Sequence, residues 1–200
     1  MICKLSTILT NILERENIIQ IDERNVYEYG FQITIANITN ALIVLLIGIV
    51  TDSIIRVLLF YVVFISMRIF CGGFHAKTYT KCFCLFGTIC LLCTISSYGI
   101  MNFGDISSVN IISGILQGLC LYQMAPIENE NHPLSIEEKS KFRFYSIIVF
   151  IFWFLVMAIS SFKRYDMVSA VISVTLISVS ILMIIANKNG GKNGYEENVS

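Results

Sequence analysis

Charge is scarce in this sequence. Only 14% of its 200 residues are Asp, Glu, Lys or Arg, and the 14 basic and 14 acidic side chains cancel to a formal net charge of zero. A chain without a basic surplus carries no electrostatic footprint for nucleic acid, so no nucleic-acid partner is expected. Stretches polar enough to form a second, soluble domain are also missing. Histidine is rarer still, with His75 and His132 the only two. A structural zinc centre takes about four Cys, His or carboxylate ligands, so neither a metal nor another cofactor is expected. Cysteine is plentiful but badly placed for a disulfide framework. The count of seven is odd, and most of Cys3, Cys71, Cys82, Cys84, Cys90, Cys93 and Cys120 lie in apolar runs, which reads as reduced thiols. Cys90 and Cys93 have redox-motif spacing but sit inside the run from Leu85 to Ile95, where a free Cys packs as a small hydrophobe.

What remains is apolar: 56% of the residues are hydrophobic and the mean hydropathy is +0.74. Such a chain belongs in a bilayer, and the expected fold is an all-α integral membrane protein. Spans of close to the roughly 20 residues a bilayer requires are read at Phe31–Val50, Ile54–Phe70, Cys82–Met101, Ile106–Met124, Phe144–Phe162 and Met167–Ala186, about six crossings. Residues 1–30 are expected to form an amphipathic interfacial segment rather than a signal peptide. Leu5, Ile8, Leu9, Ile12 and Leu13 share one helical stripe, with Lys4, Asn11, Glu14, Arg15 and Glu16 opposite. Residues 31–186 then make a polytopic membrane domain, and 187–200 a disordered tail. With six crossings, eleven Lys and Arg fall on one side against Arg56, Lys163 and Arg164 on the other. By the positive-inside rule both termini and the loop around His75 are expected in the cytoplasm of a multi-pass cell-membrane protein.

Between the second and third spans, Arg68, Cys71, Gly72-Gly73, His75, Lys77, Lys81, Cys82 and Cys84 crowd together. A thiol becomes a useful nucleophile as thiolate, and a nearby imidazole can take its proton and return it to a leaving amine. His75 and Cys82 are seven positions apart. On a continuous helix they would lie within roughly 20° of one face but about 10.5 Å apart along the axis. Joint action therefore requires a broken or re-entrant segment near Gly72-Cys82, and the paired glycines supply the freedom for one. Cys82 would then stand near the start of the third span, where the helix dipole favours negative charge. Cys84, nine positions from His75, points about 180° away on an ideal helix, and Cys71 precedes the glycines. A plainer account also fits the residues: an interfacial His75, packing thiols, a glycine turn and Arg68 snorkelling to the interface.

Arg68, Gly72-Gly73, His75, Ala76 and Cys82 reproduce the signature spacing of the accessory gene regulator protein B (AgrB) family, membrane-embedded cysteine endopeptidases of Gram-positive quorum sensing, and the chain resembles that family in length and layout. Ala125-Pro126-Ile127 and His132-Pro133-Leu134 are similar to its proline-containing cytoplasmic loop. The resemblance implies that His75 and Cys82 are the catalytic pair and that the partner is an AgrD-like precursor peptide. Cys82 would attack a backbone carbonyl of the peptide, His75 would serve as base and then acid, and an internal thiol or hydroxyl of the acylated peptide would close a thiolactone or lactone signal. The residue orienting His75 is open among Asn37, Asn40, Gln117, Gln123 and Glu128. Lys77, Lys81, Lys139, Lys141 and Arg143 are candidate contacts for an acidic end of the precursor, or ordinary positive-inside charges touching lipid. The lipid bilayer is the second partner, and another copy of the chain a further candidate. The competing function is a small transporter or export channel without peptidase activity, with Asn37, Asn40 and Gln117 lining a path.

Overall fold

A computed structural model describes residues 2–16, 18–20, 22–72, 79–127 and 135–196, the side chains of 103 and 189–196 excepted. Among the described residues the chain is all helical: α1 (Ile2–Arg15), α2 (Arg24–Val50), α3 (Ile54–Cys71), α4 (Tyr79–Phe103), α5 (Ile106–Met124), α6 (Ile136–Phe162) and α7 (Asp166–Glu196). A backbone surrounded by hydrocarbon must satisfy its hydrogen bonds internally, so each apolar run becomes a helix. Helices stand at all six expected spans. By length and composition α2, α3, α4, α6 and α7 can cross a membrane. The 19-residue α5 has the expected bounds and carries Asn110 and Gln117, both turned inward.

The bundle is built around α7. In its most apolar 18 residues, within Asp166–Lys188, 67% are buried, against 11% in the corresponding stretch of α2, and it packs on α3, α4, α5 and α6. Its seam with α5 is held by polar groups. Asn110 donates through Nδ2 to Ser169 Oγ (2.7 Å) and accepts from Ser173 Oγ, while Gln117 accepts from Ser180 Oγ (2.6 Å) and faces Met183 Sδ (3.7 Å). Small residues and such hydrogen bonds let helices associate where hydrophobicity gives no preference. Phe60, Phe64 and Phe86 join α3 to α4, and Trp153 Nε1 donates to Ser66 Oγ at 2.8 Å, tying α6 to α3.

The largest departures of the helix boundaries from the sequence expectation are three. α2 begins at Arg24, inside the stretch assigned to the interfacial segment, because its first turns anchor α1. Arg24 pairs with Glu14 and donates to Asn11 (2.6 Å), and Glu28 accepts from Thr7 (2.8 Å). α6 begins eight residues before Phe144, started by a capping box in which Ser135 Oγ accepts from Glu138 N (3.3 Å) and Glu138 Oε2 from Ser135 N (2.9 Å). Lys139, Lys141 and Arg143 therefore lie on a helix and not in a loop. α7 continues to Glu196 although structure was not expected beyond 186. Extending an established helix costs far less than starting one.

α1 buries Ile2, Ser6 and Thr10 while Leu5, Ile8 and Ile12 face outward. The hydroxyls of Ser6 and Thr10 are satisfied by Cys3 and Ser6 carbonyls within the helix (each 2.9 Å), so this face can pack without unpaired polar atoms. The apolar stripe is left for lipid.

Candidate active site at the ends of α3 and α4

α3 ends at Cys71 and α4 begins at Tyr79. Cys82 is thus on the first turn of α4, the end of a helix whose dipole favours negative charge, and it is partly exposed. Cys71, Cys90, Cys93 and Cys120 are buried, while Cys3 and Cys84 are exposed. Arg68, one turn before the end of α3, is within electrostatic range of Cys82. Its guanidinium carbon lies 5.7 Å from the centroid of the Phe64 ring. Tyr79 fastens the start of α4 to α2 by donating to Gln32 Oε1 (2.9 Å). Its hydroxyl is within electrostatic range of Cys3, Tyr29 and Cys82. The starts of α1 and α2 therefore border the site. Sequence reasoning missed Cys3, Tyr29, Gln32 and Tyr79 as neighbours, because only the docking of α1 and α2 brings them there.

Gly72 terminates α3 with φ 71° and ψ −154°, a region that essentially only glycine occupies. Its N–H still donates to Arg68 O (3.2 Å), and beside it Ile127 N donates to Cys71 O (3.0 Å), forming a parallel bridge between residues 72 and 127. A Cβ at residue 72 would overlap the Ile127 carbonyl oxygen. Residues 125–127, which leave α5 through a cis Ala125-Pro126 bond, are thereby held against the end of α3.

The other expected site residues divide. Gly73, His75 and Lys77 lie outside the described residues, as do Glu128 and His132. Lys81 on α4 and Lys139 and Lys141 on α6 are exposed. Arg143 donates to Tyr122 O in the last turn of α5 (2.8 Å), where a cation complements the helix C-terminus. Among the residues proposed to orient His75 or line a path, Asn37 and Gln123 are exposed. Gln117 is committed to Ser180, and Asn40 Oδ1 is buried without a hydrogen-bond partner. Among the described residues no group of three or more His, Cys, Asp or Glu could hold a metal.

Arg56 marks the opposite end of the bundle, where α3 starts and α4 ends. Its guanidinium lies 3.6 Å from the Tyr98 ring centroid and donates to Ser97 Oγ (3.4 Å), and Tyr98 pairs with Ser53 (2.7 Å).

Comparison with known proteins places these observations in a family. The model of accessory gene regulator B matches residues 6–185. An AgrB-like protein 2 of Clostridium perfringens (strain 13 / Type A) is 24% identical over 125 residues, covering 60% of this chain and 58% of that protein. An AgrB-like protein of Clostridium perfringens (strain SM101 / Type A) is 24% identical over 146 residues, covering 70% of this chain and 68% of that protein. The chain thus spans little more than half the length of the first relative. No solved structure matches it. A match along nearly the whole bundle, from α1 into α7, shows that this membrane protein belongs to the AgrB family.

Proposed function

We propose that the chain is a membrane cysteine endopeptidase that cuts the C-terminal part from a short AgrD-like precursor and lets the remainder cyclise. The observation that carries this reading is the place of Cys82: a partly exposed thiol on the first turn of α4, with Arg68 in electrostatic range, in a chain of the AgrB family.

In the proposed reaction His75 takes the Cys82 proton and the thiolate adds to a backbone carbonyl of the precursor. As the tetrahedral adduct collapses, the C–N bond breaks and the departing amine takes the proton from His75. The peptide is left as a thioester on Cys82. An internal Cys or Ser of the same peptide then displaces Cys82, forming the ring and returning the thiol. Exchange between similar thiols is nearly balanced, whereas hydrolysis would waste the acyl group, so the site must hold the internal nucleophile close and keep water scarce. A site at the boundary of the apolar bundle suits both needs. With α5 also crossing, the eleven-to-three distribution of Lys and Arg supports a cytoplasmic placement for this end and for both termini, with the Arg56 end outside. The precursor would then reach Cys82 from the compartment in which it is made.

The test uses the chain in liposomes with a synthetic AgrD-like precursor. Wild type should release the C-terminal fragment and form a hydroxylamine-sensitive adduct on Cys82. Cys82→Ala should do neither, and Cys84→Ala and Cys71→Ala should retain both. Cleavage that persists in Cys82→Ala would remove Cys82 as the nucleophile, and a wild type that moves the precursor across the bilayer without cutting it would favour a transporter.

A further inference from the structure

We infer that Gly72 is a positioning residue for the Cys82 site, a backbone seat on which residues 125–127 are clasped so that they wall the site beside Arg68. The inference rests on the peptidase reading and deepens it. Ending a helix does not require this arrangement, since many residues can cap α3. Two independent features mark residue 72. Its φ of 71° and ψ of −154° belong to a conformation that side chains oppose, and the position a Cβ would take is filled by the carbonyl oxygen of Ile127, 55 positions along the chain. The clasp is made by main-chain atoms, Ile127 N donating to Cys71 O at 3.0 Å, next to the bond from Gly72 N to Arg68 O (3.2 Å) that closes α3. The segment after α5 is therefore locked to the same turn of α3 that sets Arg68 toward Cys82. Any side chain at residue 72 must push the 125–127 segment away. The chemistry should then slow because a wall of the site has moved, with Cys82 itself intact.

The experiment uses the full chain in liposomes and the same synthetic precursor, with four variants. Gly72→Ala and Ile127→Pro break the clasp from its two sides, the second by deleting the N–H that donates to Cys71. Ile127→Ala keeps that N–H, and Gly99→Ala adds a Cβ where nothing lies within 4 Å. For both clasp-breaking variants kcat should fall by about tenfold or more, as small displacements in an active site do, with KM within about threefold of wild type. Iodoacetamide labelling of Cys82 should stay within about twofold of wild type in both. Hydrogen exchange at the Ile127 amide should accelerate in Gly72→Ala. Gly99→Ala should turn over as wild type does, and Ile127→Ala, which keeps the clasp, should retain more kcat than Ile127→Pro. Wild-type kcat in either clasp-breaking variant, or a loss confined to KM, overturns the inference. If Gly72→Ala does not insert, Ile127→Pro decides. If neither inserts while both controls do, the clasp is a folding element and the positioning role is overturned. Cleavage by Cys82→Ala instead removes the underlying reading of Cys82 as the nucleophile, a result distinct from any of these.

Discussion

Asn110→Ala should loosen the bundle by a calculable amount. Asn110 is buried between α5 and α7, donating to Ser169 Oγ at 2.7 Å and accepting from Ser173 Oγ. Interhelical hydrogen bonds in membrane proteins contribute about 0.6 kcal/mol on average and about 1.7 at most, so two bonds set a range of about 1–3 kcal/mol. The lower part of that range applies, because the single Ser173 hydroxyl proton can turn to Ser169 O, 2.8 Å away, and is not orphaned when the amide goes. The expected loss is about 1–2 kcal/mol, a five- to thirtyfold change in the unfolding equilibrium. Reversible unfolding by sodium dodecyl sulfate in mixed micelles would measure it, followed by the fluorescence of Trp153, the only tryptophan. The truncation also leaves a small void, so a cycle with Ser173→Ala isolates the bond, with an expected coupling of about 0.5–1.5 kcal/mol. An Asn110→Ala variant within about 0.3 kcal/mol of wild type, or a cycle with no coupling, would refute the account of this seam as hydrogen-bonded.

His75→Ala should insert normally yet cleave the precursor about 10²-fold more slowly, whereas His132→Ala should stay active; equal rates for His75→Ala and wild type would remove the proposed acid–base role. Lys139→Gln with Lys141→Gln should weaken binding of a precursor with an acidic tail, reduce its salt dependence and spare a neutral-tailed one. Arg143→Gln should instead cost about 0.3–1 kcal/mol of stability, because its charge serves the end of α5, and micelle unfolding separates the two effects. In a variant without native thiols, a cysteine at 77 should label from the cytoplasm and one at 105 from outside; exterior labelling at 77 would overturn the orientation. Finally, hydrogen bonds from Ser108 Oγ and then Ser107 N hold the Asp105 carboxyl below its ordinary value. Its N-cap contribution is therefore complete above the ordinary carboxylate range and is lost as pH falls through the depressed folded value. Amide exchange in the first turn of α5 should accelerate on acidification in wild type but not in Asp105→Asn.

Most of the helical layout was legible because apolar run length is a direct demand of the bilayer. The apolar run Ile106–Met124 has the bounds of α5, and Cys82, at the start of its apolar run, stands near the start of α4. The start of α6 was also written in the chain, as Ser135 three residues before Glu138, but a search for apolar runs passes over a cap made of polar residues. The orientation of α1 was half legible: its apolar stripe does face outward, while the use of Ser6 and Thr10 as a packing face depends on the presence of α2.

By itself the sequence determined the class, the helices and the clustering of Arg68, Gly72 and Cys82 around one junction, because hydropathy and local spacing act within a few turns of the chain. Only tertiary structure decided that α7 is the centre, that Arg143 serves the end of α5, that Cys3 and Tyr29 approach Tyr79, and that Ile127 is clasped to Gly72. The physical reason is that lipid and protein interiors are nearly equally apolar, so hydropathy places a helix in the membrane without choosing its neighbours. That choice falls to small residues, a few polar side chains and exposed main-chain groups, whose partners lie tens of residues away and become visible only when the helices meet.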